Sequence, residues 1–143
     1  MSDRVLRVGA ALVALAGIGV AGYLTWAHYA DTSVICVAGG GCEKVQSSEY
    51  AELLGVPVAL LGLAAYVTVL ALVVWDAPIA RLGAASLALF GLLFSAYLLV
   101  VQAFVIEAFC IWCVVNDVLI APVLAVVTAL RLRSWGPGGA PSA

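Results

Sequence analysis

Charged side chains are scarce in this chain of 143 residues. Asp, Glu, Lys and Arg make up 10% of the sequence, whereas an average soluble domain contains roughly 25% of them. This scarcity excludes an ordinary soluble domain. The sequence also has no basic patch, so nothing in it indicates nucleic acid as a partner. Hydrophobic residues account for 66% of the chain, and the mean hydropathy is +1.20. The composition is therefore that of a membrane protein.

Four long apolar runs divide the sequence. They cover residues 8–30, 53–75, 82–106 and 109–130, and only Asp117 interrupts the last of them. Each exceeds the roughly 20 residues that a helix needs to cross the hydrocarbon core, and isolated strands would leave unpaired backbone groups in lipid. We therefore predict an all-α membrane protein. Its single domain, residues 1–134, is a bundle of four transmembrane helices with an outer loop over 31–52, and a disordered tail follows over 135–143.

The basic residues predict the orientation of the bundle. Short loops that are rich in Lys and Arg stay in the cytoplasm. One side of a four-helix topology collects Arg4, Arg7, Arg81, Arg131 and Arg133. The other side has only Lys44. This pattern predicts a multi-pass protein of the cell inner (cytoplasmic) membrane with both termini in the cytoplasm.

Four cysteines form two spaced pairs, Cys36/Cys42 and Cys110/Cys113. The predicted orientation places all four at the extracytoplasmic face, on the oxidising side where disulfides persist. The second pair is a C-x-x-C that opens the last helix, where residues three apart share a face and the helix dipole favours a thiolate. The first pair flanks three glycines in the outer loop, and residues 43–54 are predicted to form a short amphipathic helix. Two such pairs predict a relay that passes a disulfide from one pair to the other by thiol–disulfide exchange.

Other uses of four thiols are open at this point. Together they could bind zinc, although the sequence has no second C-x-x-C and His28 is its only histidine. They could also form two structural disulfides in a small membrane scaffold or transport protein. The unrelated four-helix bacterial disulfide-bond oxidase has its C-x-x-C in the first outer loop and a widely spaced pair in the second. That order is the reverse of the order in this chain.

A larger set of residues carries a resemblance to a known family. In chain order the set is Cys36, segment 42–50 (CEKVQSSEY), segment 55–59 (GVPVA), Gly62, Tyr66, segment 104–106 (FVI) and the C-x-x-C at 110–113. In this order they resemble the vitamin K epoxide reductase family in its bacterial form, from helix 1 to helix 4. The resemblance implies a four-helix bundle around a quinone (menaquinone, ubiquinone or a related molecule). It also implies a periplasmic loop that carries the shuttle cysteines.

The resemblance implies a role for each cysteine. Cys113 would face the quinone with Cys110 as its exchange partner, Cys42 would pass electrons to Cys110, and Cys36 would meet the redox partner. Ser48 matches a loop position that supports the active site. Many bacterial relatives carry a fused thioredoxin-like domain, whereas this chain stops soon after helix 4. The implied partner is therefore a separate periplasmic thioredoxin-like (DsbA-like) protein.

Three residues are candidates for contact with the quinone. Val58 and Asp117 match positions where vertebrate relatives place an amide side chain and a tyrosine near the quinone. Ionisable residues inside a membrane segment usually face the bundle interior, so Asp117 is predicted to protonate the quinone, with a neutral packing carboxyl as the alternative. Asn116 is predicted to hydrogen-bond either a quinone carbonyl or another helix. Tyr66 and Gln102 are predicted to be packing residues.

These observations together predict an integral membrane thiol–quinone oxidoreductase that supports disulfide bond formation. Electrons would pass from the periplasmic partner through Cys36/Cys42 and Cys110/Cys113 to a membrane quinone. The prediction includes no metal site.

Overall fold

Four helical spans form most of the described part of the chain. The structure, a computed structural model, describes residues 3–30, 52–53, 55–106 and 111–133. Helix α1 is Asp3–Tyr29, α2 is Val58–Trp75, and α3 is Pro78–Val100, which continues as a π-helical segment, π1, over Val101–Ile106. The fourth span consists of α4 (Ile111–Val115), a second π-helical segment, π2 (Asn116–Ile120), and α5 (Ala121–Arg133). A short hairpin, β1 (Glu52–Leu53) and β2 (Val56–Pro57), precedes α2.

The lengths and hydropathies of these helices are those of membrane-spanning segments. The structure has four helices long and apolar enough to cross a bilayer, with mean hydropathies between 2.0 and 2.4. Their outer surfaces carry exposed large apolar side chains such as Leu12, Phe90 and Phe104, which lipid rather than water would solvate. The predicted all-α membrane bundle of four helices is confirmed.

The start of the second span differs from the sequence prediction. The apolar run predicted a helix from residue 53, whereas Glu52 pairs with Pro57 and Leu53 with Val56 in the antiparallel hairpin. Gly55 has φ +82°, a conformation that glycine adopts at no steric cost. Pro57 lacks a backbone N–H, and with φ −58° it stands as the N-cap of α2.

Several predicted features lie outside the described residues. They are most of the outer loop, residues 43–51 and 54 of the predicted amphipathic helix, and the tail over 135–143. The last part of that predicted helix that is described, residues 52–53, is a strand.

Small residues bring α1 close to its neighbours. Ala10, Ala14, Gly17 and Ala21 are buried along one face of α1, at the three- and four-residue spacing of a helix–helix seam. They pack in a core that includes Tyr66 and Val69 of α2 and Leu124 of α5. Close approach of backbones supplies the packing contacts that hold helices together in lipid, where burial from water gives no driving force between them.

A cluster of charged residues joins the spans at the opposite end from the hairpin. It contains Asp3, Arg7, Asp76, Arg81 and Arg131. The Arg81 and Arg131 side chains are each only 1% exposed. Arg81 forms ion pairs of 2.9 Å with both Asp3 and Asp76, and Arg131 pairs with Asp76. Buried arginines need such partners because an unpaired buried charge is strongly destabilising, so this cluster fixes the ends of α1, α2, α3 and α5 relative to one another.

Candidate functional site

A cavity of about 600 Å³ lies inside the bundle, with walls from all four spans. Most of its lining is apolar, including Leu24 of α1, Ala59 of α2, and Phe94 and Leu98 of α3. A small polar group interrupts this lining, formed by Tyr66, Ser95, Gln102, Asn116, Asp117 and the thiol of Cys113. An apolar cavity with a few convergent polar groups is the usual form of a small-molecule site.

The cavity brings together four of the residues that the sequence singled out. Val58, Cys113, Asn116 and Asp117 all contribute to its wall. The other predicted site residues, Cys36, Cys42, Ser48 and Cys110, lie outside the described residues. In the described ranges no three His, Cys, Asp or Glu side chains are grouped so as to hold a metal ion.

Aromatic packing positions the start of the fourth span. Trp112, inside the C-x-x-C, packs on Tyr23 of α1 with ring centroids 5.2 Å apart and planes at 60°. Tilted aromatic pairs at this separation are favourable. The contact holds α4 against α1, and Cys113, the next residue, is thereby kept at the cavity wall.

A buried hydrogen-bond network surrounds the carboxyl group of Asp117. Asn116 donates through Nδ2 to Asp117 Oδ1 at 3.1 Å, and Gln102 donates through Nε2 to Oδ2 at 3.4 Å. The Ser95 side chain lies within hydrogen-bonding range of the same group. Tyr66 in turn donates from its hydroxyl to Oδ1 of Asn116. A buried carboxyl group needs partners of this kind, and their number gives Asp117 a defined orientation.

Both π-helical segments contribute to this network. Gln102 belongs to π1, while Asn116 and Asp117 belong to π2. A π-turn contains more residues than an α-turn, so the angle between consecutive side chains around the helix axis is smaller. Such turns occur frequently at functional sites. This geometry lets the adjacent Asn116 and Asp117 both line the cavity. The apolar runs predicted continuous transmembrane helices and gave no indication of these π-turns.

Three residues of the network were not predicted from the sequence to belong to the site. The sequence predicts Tyr66 and Gln102 to be packing residues and does not single out Ser95, yet all three are buried and face the cavity. A signal for them was present. Each is a polar side chain within an apolar run, and such side chains in membrane spans tend to face the interior.

A comparison of the sequence with protein-family models identifies the family. The model of the vitamin K epoxide reductase family matches residues 9–128, a segment that extends from α1 into α5. This chain belongs to the vitamin K epoxide reductase family. Membership confirms the resemblance carried by the cysteines and the segments between them. It makes the chain a multi-pass membrane protein and a thiol–disulfide oxidoreductase. Proteins of the vitamin K epoxide reductase family use quinones.

Proposed function

We propose that this chain oxidises protein thiols outside the cytoplasm and transfers their electrons to a membrane quinone. The observation that carries the proposal is the position of Cys113. It is the second cysteine of a C-x-x-C, and it lies in the wall of an apolar cavity beside Asn116 and Asp117. A redox thiol that lines a cavity of this kind is placed to exchange electrons with an apolar acceptor bound there.

The chemistry of the cavity fits a quinone. The apolar walls would accommodate the quinone ring and its tail. The amide N–H of Asn116 and the O–H of a protonated Asp117 are donors from which a quinone carbonyl oxygen could accept hydrogen bonds. Val58 would pack on the ring from the first turn of α2. Two residues of the wall, Leu61 and Phe90, are 40% and 66% exposed on the outside of the bundle. That side would admit a lipophilic molecule such as menaquinone or ubiquinone from the bilayer.

The electron and proton balance assigns a task to each cysteine pair. Formation of a disulfide between Cys110 and Cys113 releases two electrons and two protons. A bound quinone supplies the acceptor, which takes up both electrons and both protons to become a quinol. Cys42 then attacks the Cys110–Cys113 disulfide through a mixed disulfide, and Cys36 resolves it. The Cys36–Cys42 disulfide finally oxidises two thiols of a separate thioredoxin-like, DsbA-like protein.

Asp117 is proposed to hold one of the protons at the cavity. Asp117 is only 6% exposed, and its carboxyl group is oriented by hydrogen bonds from Gln102 and Asn116. A carboxyl group that is positioned in this way is a general acid, provided that its proton can reach the reacting oxygen. The loop position Ser48 is assigned a supporting role on the strength of the family resemblance.

The ionic cluster supports the proposed orientation. Arg7, Arg81 and Arg131 all lie at the end of the bundle that contains the short turn between α2 and α3. Basic residues near the ends of transmembrane helices remain on the cytoplasmic side. We therefore place this end in the cytoplasm of an inner-membrane protein and the C-x-x-C at the extracytoplasmic face.

A test of the quinone site uses the glycines of the bundle. Gly62 lines the cavity, and a Cβ atom added there would meet nothing within 4 Å, so Gly62→Leu should fill part of the cavity without a backbone clash. We expect the quinone that copurifies with the protein to fall at least about tenfold, since each 1.4 kcal/mol of lost affinity is a factor of ten. Extraction from detergent-purified protein and mass spectrometry measure it.

The matched control is Gly19→Leu, on the exposed face of α1, where an added Cβ also meets nothing. It should retain the wild-type amount of quinone. Wild-type occupancy in a folded Gly62→Leu protein would remove the cavity as the quinone site.

A further inference from the structure

The ring of Tyr66 is seated against the backbone of α1. A Cβ atom placed at Gly17 would lie 2.6 Å from Cδ1 and Cε1 of Tyr66 and 2.7 Å from its Cγ. Real Cβ contacts are essentially never that short. At Gly9, Gly19 and Gly62, by contrast, an added Cβ meets nothing within 4 Å. Gly17 is therefore required for space, because any side chain there would displace the tyrosine ring.

The opposite end of Tyr66 contacts the fourth span. Its hydroxyl donates to Oδ1 of Asn116, and the amide nitrogen of Asn116 donates to Oδ1 of Asp117 at 3.1 Å. The Tyr66 donor satisfies the amide oxygen, so the amide nitrogen faces the Asp117 carboxyl group. A rotated amide would instead turn its oxygen towards that carboxyl group and present an acceptor in place of a donor. The orientation of the Asn116 amide thus depends on a hydroxyl group fifty residues away.

We propose that Tyr66, held in place by Gly17, is a positioning residue that orients the Asp117 carboxyl group through Asn116. The inference rests on the proposed function in one respect, the use of Asp117 as the proton donor. Tyr66 is 8% exposed, and a packing role alone would be filled by phenylalanine, which avoids burying a hydroxyl group. The hydroxyl group is instead used to direct the amide that contacts Asp117.

Tyr66→Phe separates positioning from packing because it retains the ring and removes only the hydroxyl. Without that donor the Asn116 amide is free to rotate, and Asp117 loses its preferred direction. We expect the kcat of quinol formation to fall about tenfold, the scale of one lost hydrogen bond, with the KM for the dithiol protein unchanged. Tyr97→Phe, the same change at a tyrosine that is 51% exposed, should leave both constants at wild-type values.

Gly17→Ala tests the other end of the chain of contacts. Its methyl group would push the ring away from α1, so this variant should reproduce the loss seen in Tyr66→Phe. Gly19→Ala is the control, because its methyl group meets open space. If Gly17→Ala does not fold, Tyr66→Phe decides the question alone.

Infrared spectroscopy provides a readout that does not require quinone reduction. The carboxyl bands of Asp117, identified by their loss in Asp117→Asn, should shift in Tyr66→Phe and remain in place in Tyr97→Phe. Unchanged bands together with a wild-type kcat in Tyr66→Phe would overturn the positioning role. A wild-type protein that reduces no quinone while the bands still shift would instead refute the proposed function and leave the positioning role standing.

Discussion

Cys113→Ala should lower the rate of quinone reduction by about a thousandfold or more, as for other losses of an essential reacting group. The variant should also accumulate a disulfide between Cys42 and Cys110. Because exchange is reversible, the Cys110 thiolate can attack an existing Cys36–Cys42 disulfide, which forms the Cys42–Cys110 bond and releases the Cys36 thiol. Without Cys113, no thiol can then displace Cys42 by closing a Cys110–Cys113 disulfide. Proteolysis without reductant followed by mass spectrometry identifies the bond.

A matched control for this change is Val114→Ala. Val114 is the next residue of α4, is partly buried, and is outside the cavity lining. Its truncation should alter the rate only about twofold, because it removes packing without touching a thiol. If the Cys113→Ala protein contains only a Cys36–Cys42 disulfide, with Cys110 as a thiol, the proposed order of transfer is contradicted.

Asp117→Asn and Asp117→Leu should both slow quinone reduction by about a hundredfold or more, the usual contribution of a general acid. Asparagine retains the size of the side chain but cannot release a proton. Leucine removes the acceptor as well, so the hydrogen bonds that Asn116 and Gln102 donate to Asp117 are both lost. Each lost hydrogen bond costs about 0.5–1.5 kcal/mol, so the leucine variant should also unfold at a lower temperature than the asparagine variant.

Two measurements separate a proton-transfer role from a packing role for Asp117. Thiol trapping should show that disulfide exchange among the four cysteines continues in both variants, because Asp117 does not take part in it. Quinol formation, followed with a reduced dithiol protein, should be slow in both. An Asp117→Leu protein with wild-type rate and stability would show that the carboxyl group serves packing only.

The four spans could be predicted from sequence because each is encoded locally. A run of apolar residues long enough to cross the bilayer has few alternatives to a helix. The hairpin before α2 was not predicted, because Leu53, Val56 and Pro57 are apolar and therefore lengthen the apolar run that predicts the helix. The break depends on Gly55 at φ +82° and on the pairing of Leu53 with Val56, which hydropathy does not register.

The contacts of the site and of the ionic cluster were less predictable because they join distant parts of the chain. The sequence predicted that Arg81 and Arg131 lie on one side of the membrane. It did not predict that both are buried or that both pair with Asp76. Likewise the sequence predicted that Asn116 would hydrogen-bond either a quinone carbonyl or another helix, but it did not identify Tyr66 as the partner. Such partners are set by helix packing, and here by the glycine at position 17, rather than by local pattern.

The most direct test of the central claim is the stoichiometry of a single reaction. Purified protein in lipid vesicles would be mixed without oxygen with a reduced DsbA-like protein and a quinone. Thiols lost from the dithiol protein and quinol formed would be counted in the same sample. The proposed relay predicts two thiols lost for each quinol, with no reaction when either substrate is omitted. The relay would be contradicted if no quinol formed and the redox states of the four cysteines were the same with and without quinone. That result would favour structural disulfides or a thiolate metal site.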